Sequence, residues 1–131
     1  MEVRRDRYLN NLIDRMHNGL IKVITGVRRC GKTYLLFELF GTYLRDELGV
    51  GDDHIVEIAL DEEANRGLRD PGALDSYLKS RIANKTSQYY VMLDEVQYAI
   101  SEEELRGHEP PRLYGVLNGL LRMRNVDVYV T

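Results

Sequence analysis

Apolar and polar residues recur along this chain with two periods, one typical of helices and one typical of buried strands. Apolar residues three and four positions apart predict four helices, over 4–17, 34–48, 71–82 and 113–121. Short runs rich in β-branched and aromatic residues predict four strands, at Leu20–Thr25, 54–60, 89–93 and 126–131. Strands that alternate with helices are typical of an α/β fold with a largely parallel sheet.

Residues that favour helix starts mark two positions along the chain. Asp70 and Pro71 stand where an N-cap and a first helical residue are expected. Ser101 and Glu104 have the spacing of a capping box on a short helical turn. The surrounding region, 97–111, shows no clear period, so we predict no long element there.

The junction between the first strand and the next helix holds the pattern Gly-x-x-x-x-Gly-Lys-Thr. Its two glycines let the backbone turn tightly, so that successive N–H groups point at a bound phosphate. The lysine then reaches the β- and γ-phosphates, and the threonine hydroxyl ligates Mg²⁺. The predicted phosphate-binding residues are Gly26, Val27, Arg28, Arg29, Cys30, Gly31, Lys32 and Thr33.

A second part of the site follows the third predicted strand. The apolar run 89–93 ends in Asp94 and Glu95, as expected for a strand buried on both faces. Asp94 is a candidate Mg²⁺ carboxylate that acts through a bound water. Glu95 is a candidate catalytic base that polarises a water for attack on the γ-phosphate, with Lys32 as its catalytic partner. The alternative for Glu95 is a solvated residue at a strand end.

Three segments together resemble the bacterial and archaeal AAA-type P-loop ATPases. They read GVRRCGKT, YYVMLDEVQ and VLNGLLRMRNVDVYVT. The resemblance implies a three-layer P-loop NTPase core of the AAA or ASCE type, with the fourth strand between the first and the third. It also implies ATP and Mg²⁺ as cofactors, and hydrolysis coupled to an unknown switching or mechanical task. A C-terminal domain of poorly defined function commonly follows such a core.

The resemblance also places a polar sensor, a fifth strand and a helical lid after the fourth strand. We therefore expect residues 1–131 to form a partial ATPase domain, with an N-terminal helix over 1–19 and a core over 20–131. With no fifth strand, the Leu20–Thr25 run is a sheet edge whose only charge is Lys22. Such an edge predicts self-association, unless the N-terminal helix covers it. An ATPase-type oligomer is the alternative.

Composition narrows the class of protein. The chain has 131 residues and a net charge of −3, so we expect one domain and no field that favours nucleic acid or an anionic membrane. No apolar run approaches the roughly 20 residues that span a bilayer, and the N-terminus has no apolar secretory core. One cysteine cannot form an internal disulfide, which favours the reducing cytoplasm.

Several alternatives stay open at this point. A non-hydrolysing nucleotide sensor would share both motifs, and a small-molecule kinase would share the loop but need an acceptor site and a basic lid. Tyr8 is either a core residue or a contact for the adenine base. Asp61, after the second strand, either faces the site or belongs to a solvated turn. The side chains of Arg28 and Arg29 add positive field near phosphate or contact a neighbouring subunit.

Overall fold

The computed structural model describes residues 2–25 and 29–131, with side chains for 7–25 and 31–131. Four parallel strands form one sheet in the order β1, β4, β3, β2. The strands are β1 (Lys22–Val23), β2 (Ile55–Ala59), β3 (Tyr89–Asp94) and β4 (Val126–Val130). The predicted α/β class with a parallel sheet is confirmed, and β4 lies between β1 and β3 as the resemblance implied.

Within the described ranges, five α-helices connect and cover these strands. They are α1 (Glu2–Asp14), α2 (Arg29–Thr33), α3 (Pro71–Arg81), α4 (Glu102–Arg106) and α5 (Arg112–Leu121). Wider π-helical turns, Tyr34–Phe40 and Tyr43–Glu47, continue from α2. Short 3₁₀ turns lie at Asp52–His54, Glu63–Arg69 and Val96–Ala99.

The sheet separates two apolar layers, because side chains of successive strand residues point to opposite faces. One layer packs α3 and α5 against β2, β3 and β4, with Leu74, Leu78 and Leu120 fully buried. The other packs α1 and the π-helical turns against the opposite face, where Phe40 and Tyr129 meet with ring centroids 4.5 Å apart. This is the three-layer arrangement that the sequence predicted.

The N-terminal helix ends earlier than its predicted end at residue 17. The α-helix ends at Asp14, and His17 takes a left-handed conformation with φ of 59°. The backbone N–H of His17 donates to Asp127 Oδ2 at 3.0 Å, and Asn18 Oδ1 accepts the N–H of Leu20. These contacts draw the chain out of the helix and hold residues 18–20 in a turn. They also explain why β1 starts later than the predicted Leu20.

A cluster of charged and polar groups, buried at Lys22, Asp127 and Tyr129 and exposed at Asn18, ties β1 to β4. We call it the Lys22–Asp127 cluster; its side chains are those of Lys22, Asp127, Tyr129 and Asn18. Lys22 and Asp127 form an ion pair and are 5% and 3% exposed. Tyr129 donates its hydroxyl proton to Asp127 Oδ2 at 2.5 Å, and Lys22 Nζ also donates to Asn18 Oδ1 at 3.2 Å. The sequence suggested that Lys22 is a charge on an exposed sheet edge. In the structure its ammonium group is instead buried against Asp127.

The region 97–111 contains more regular structure than its sequence pattern predicted. The capping box on α4 is present: Ser101 Oγ accepts the N–H of Glu104, and Glu104 Oε1 accepts the N–H of Ser101. Glu104 Oε2 also accepts the N–H of Arg112 at 2.7 Å, which joins α4 to the start of α5. The backbone donors of Arg112 and Ser101 lower the pKa of Glu104.

The outer side of β1 faces a groove rather than another strand. Among the described residues, no strand pairs with this side of β1. Residues of α1, including Tyr8 and Leu12, line the groove together with β1, and its volume is about 310 Å³. Leu20 and Val23 beside it are 64% and 62% exposed. Helix α1 thus flanks the edge, and self-association through it stays a prediction.

Candidate functional site

The two sequence motifs meet at the carboxyl edge of the parallel sheet. Leu93 on β3 is in register with Val130 on β4, so the next residues, Asp94 and Thr131, are neighbours across the strands. Helix α2 carries Lys32 and Thr33. In open α/β sheets, ligands bind outside this end of the strands. The fold therefore brings Thr33, Asp94 and Glu95 to the end of the sheet where such a site is expected.

A direct hydrogen bond joins the phosphate-loop motif to the β3 carboxylate. Thr33 Oγ1 donates to Asp94 Oδ2 at 2.7 Å, and Asp94 is only 2% exposed. Hydroxyl and carboxylate oxygens are the hard ligands that Mg²⁺ prefers. The chemistry of these two oxygens thus fits a Mg²⁺ ion, with the Thr33 hydroxyl as a direct ligand and Asp94 acting through water.

Lys32 lies in the last turn of the five-residue helix α2 and is half-buried. It has no ion-pair partner among the residues whose side chains the structure describes. Its predicted contact with phosphate stays a prediction. The predicted contacts of Gly26, Val27 and Arg28 lie outside the described residues. For Arg29 and Cys30 only the helical backbone is described, so their phosphate contacts and that of Gly31 also stay predictions.

Glu95 adopts an unusual backbone conformation directly after Asp94. Its φ and ψ are 58° and 53°, in the left-handed region, which costs a non-glycine residue about 1–2 kcal/mol. Its N–H donates to Thr131 Oγ1 at 2.9 Å, and its carboxylate accepts a hydrogen bond from the side-chain amide of Gln97. Strained backbone that its surroundings hold in place is common at functional sites.

An open cleft of about 690 Å³ lies beside Glu95. Its lining residues are Thr33, Tyr34, Phe37, Glu38, Asp61, Glu95, Gln97 and Tyr98. The exposed Asp61 is at its rim, while the Asp61 backbone carbonyl accepts a bond from Arg69 Nη2 at 3.1 Å. Asp61 thus lies in an exposed turn, as one alternative predicted, and a role for its carboxylate at the site stays a prediction. Tyr8 packs with α1 against the core, and an adenine contact by Tyr8 stays a prediction.

Thr131 and Gln97 also belong to this site, although the sequence analysis did not predict them as site residues. The Thr131 hydroxyl bonds both the carboxylate of Asp94 and the backbone of Glu95. The available signal was the alternation Val-Asp-Val-Tyr-Val-Thr, which places a polar residue at the carboxyl end of a strand next to β3. For Gln97, the signal was a polar side chain two residues after the candidate base.

No helix within the described ranges is both long enough and apolar enough to cross a membrane.

Comparison with known proteins gives one family and two relatives. A family profile described as "AAA domain" matches residues 18–131. An uncharacterized protein of Haemophilus influenzae is 24% identical over 129 residues, which are 98% of this chain and 29% of that protein. An uncharacterized protein of Methanocaldococcus jannaschii is 47% identical over 45 residues, which are 32% of this chain and 10% of that protein. No solved structure shows a significant match to this chain.

Proposed function

Because this chain belongs to the AAA domain family of P-loop ATPase-like, nucleotide-binding domains, we propose that it binds ATP and hydrolyses it with Mg²⁺. The observation that supports hydrolysis most is the bond from Thr33 to Asp94, with Glu95 held immediately beside it. This arrangement joins the phosphate-binding helix, a metal carboxylate and a candidate base at one end of the sheet. A site that only bound nucleotide would not need the third group.

Each part of the site has a proposed role. The backbone of 26–31 surrounds the β-phosphate, and the Lys32 ammonium contacts the β- and γ-phosphate oxygens. Thr33 and Asp94 hold Mg²⁺, which, when bound, neutralises the charge that develops on the transferred phosphoryl group. Glu95 orients and polarises the attacking water.

The task of the whole protein is a separate proposal. The chain spans 29% of the length of its Haemophilus relative and 10% of its Methanocaldococcus relative, and both are uncharacterized. We propose that ATP hydrolysis drives a switching or mechanical task in the cytoplasm. We also propose self-association, through the edge at Leu20–Thr25 or in an ATPase-type oligomer. The exposed Leu20 and Val23 support the edge as the contact.

The first test concerns Lys32 and phosphate binding. We expect Lys32→Ala to weaken Mg-ATP binding at least tenfold, or about 1.4 kcal/mol, because its ammonium is the cation that the motif places on the phosphate oxygens. Calorimetric titration measures the affinity. Lys79→Ala is the matched control, since Lys79 is an exposed lysine on α3, paired with Asp75. An unchanged affinity in Lys32→Ala would remove the loop from the mechanism.

The second test separates binding from hydrolysis at Glu95. We expect Glu95→Gln to retain ATP while phosphate release falls by roughly 10²-fold or more, the usual scale for a positioned base. The amide keeps the size of the side chain and removes its basicity. Equal losses of binding and turnover would argue against this role. ATP binding with no turnover in the unaltered protein would favour the nucleotide-sensor alternative.

A further inference from the structure

The side chain of Arg69 joins the two segments that leave the sheet after β2 and β3. Its Nε donates to the carbonyl of Leu60 at 2.7 Å, and its Nη2 donates to the carbonyl of Asp61 at 3.1 Å. Its guanidinium carbon stands 4.8 Å from the centre of the Tyr98 ring. Leu60 and Asp61 follow β2, whereas Tyr98 follows β3. One side chain therefore connects the carboxyl ends of two neighbouring strands.

The Tyr98 end of this connection leads directly to Glu95. Tyr98 lies in the 3₁₀ turn Val96–Ala99, which begins immediately after Glu95, and its N–H donates to the Glu95 carbonyl at 3.2 Å. The same turn carries Gln97, whose side-chain amide donates to the Glu95 carboxylate. The left-handed backbone of Glu95 persists only while its surroundings hold it. A shift of the Tyr98 ring would therefore move the turn that holds Glu95.

The other end of the connection is anchored to the sheet itself. The N–H of Leu60 donates to the carbonyl of Asp94 at 3.0 Å, so Leu60 continues the parallel pairing with β3. Arginine suits this position because its planar group donates in two directions and stacks on an aromatic face at the same time, whereas lysine offers a point charge on a flexible stem. The Arg69 guanidinium can thus hold the ring at a fixed place relative to the strand ends.

The Tyr98 ring is a wall shared by two clefts. One is the cleft of about 690 Å³ beside Glu95, and the other has a volume of about 650 Å³. Arg69 lines the second cleft and is not among the residues that line the first. It therefore acts on the candidate site through Tyr98 rather than by contact with the reacting groups.

We propose that Arg69 is a positioning residue for ATP hydrolysis, which holds the Tyr98 ring, and with it the turn after Glu95, against the end of β2. This inference rests on the proposed function, because Arg69 acts through Glu95. A displacement of about 1 Å at a reacting group can reduce turnover about 10²-fold, so a partial loss of this support should be measurable in kcat.

The test compares substitutions at both members of the stacked pair. We expect Arg69→Gln to lower kcat for ATP at least about fivefold, while the calorimetric Kd for Mg-ATP changes less than about twofold. Tyr98→Leu removes the ring and should lower kcat by a similar factor. Tyr98→Phe keeps the ring face and should retain kcat within about twofold.

Arg81→Gln is the matched control, because Arg81 makes the same kinds of contact at the opposite end of β2. Its guanidinium carbon stands 5.8 Å from the centre of the Tyr77 ring, and its Nη2 donates to the carbonyl of Ile55 at 3.3 Å. Ile55 is the first residue of β2, far along the strand from Glu95. We expect Arg81→Gln to retain kcat within about twofold, even where it lowers stability.

A double-substitution cycle tests whether the arginine acts through the ring. Adding Arg69→Gln to a Tyr98→Leu protein should lower kcat less than about twofold further, since the shared support is already lost. Circular dichroism establishes that each variant is folded at the assay temperature. If Arg69→Gln fails to fold, Arg69→Lys takes its place in the same cycle, and the comparison of Tyr98→Leu with Tyr98→Phe is unaffected.

The outcomes separate this inference from the proposed function. Absence of phosphate release from the unaltered protein would overturn the proposed function, and this inference with it. Release by the unaltered protein with an unchanged kcat in Arg69→Gln would overturn only the inference. Equal losses of kcat and ATP affinity, an equal loss of kcat in Arg81→Gln, or an undiminished effect in the Tyr98→Leu background would also overturn only the inference.

Discussion

Removal of the Lys22 ammonium should cost this small domain a large part of its stability. Lys22→Met keeps most of the apolar side-chain stem and leaves the Asp127 carboxylate inside the protein without its cation. Both side chains are at most 5% exposed, so solvent cannot take the place of the lost partner. Breaking a buried ion pair by removing one member typically costs about 3–5 kcal/mol.

The remaining contacts of Asp127 favour the lower end of that range. The carboxylate keeps the N–H of His17 at 3.0 Å and the hydroxyl of Tyr129 at 2.5 Å, so it stays partly satisfied. We therefore expect a loss of about 3 kcal/mol. With a urea m-value of about 2 kcal/mol per molar, the unfolding midpoint falls by about 1.5 M. A loss of this size is a substantial part of the 5–15 kcal/mol typical of a domain.

Equilibrium unfolding in urea, followed by far-UV circular dichroism, measures this change. Lys79→Met is the matched control, because Lys79 pairs with Asp75 on the surface of α3 at 3.2 Å, with the lysine side chain 58% exposed. An exposed pair contributes about 0.3–0.5 kcal/mol. In the double variant Lys22→Met/Asp127→Asn the buried charge is gone, and we expect at least half of the lost stability to return.

Two results would refute this reasoning. One is that Lys22→Met lowers the urea unfolding midpoint no more than Lys79→Met does. The other is a double variant no more stable than the single one, because the cost would then lie in packing rather than in an unpaired carboxylate.

Two further predictions concern tyrosine ionisation and a helix cap. Burial is the largest cause that raises the pKa of both Tyr90 and Tyr129; the Asp127 charge adds to it at Tyr90, and the hydrogen bond to Asp127 adds to it at Tyr129. Their neutral hydroxyls therefore stabilise the fold below the unfolded pKa of about 10, and this contribution is lost as the pH rises above it. In a tyrosinate absorbance titration, we expect both to ionise at higher pH than the exposed tyrosines, and ionisation of every tyrosine together in the folded state would contradict this. Asp70→Ala should destabilise the protein by about 1 kcal/mol in urea, because the Asp70 carboxylate accepts the N–H of Ala73 at 2.9 Å; a change no larger than that of Asp75→Ala would argue against the cap.

Local sequence patterns predicted the elements that carry the chemistry. The type of each element around residues 20–48 was predictable, because its hydrophobic pattern repeats within about ten neighbouring residues. The same holds for the apolar strand that ends in Asp94. The Asp70 cap and the Ser101 capping box are local in the same way. The order of the strands came from the resemblance, and the sheet confirms it.

Contacts between distant residues were not predictable from these patterns. Lys22 looks like a solvent-exposed charge in an apolar run, but its partner Asp127 is 105 positions away in the chain. The same carboxylate binds the N–H of His17 and so ends the N-terminal helix early. The contacts of Thr131 with Asp94 and Glu95 likewise depend on β4 lying beside β3. Such contacts become visible only when the strand order and register are known.

The length of strand β4 is fixed from both of its ends. Asp127 near its start is tied to Lys22, and Thr131 just after it is tied to Asp94. Both residues lie on one face of the strand, four positions apart. One inserted residue would turn one of them to the opposite face, and two would add about 6.6 Å between the ties. We therefore expect this strand to tolerate no inserted or deleted residue between its two ties, whereas changes in length can be absorbed by the connecting loops.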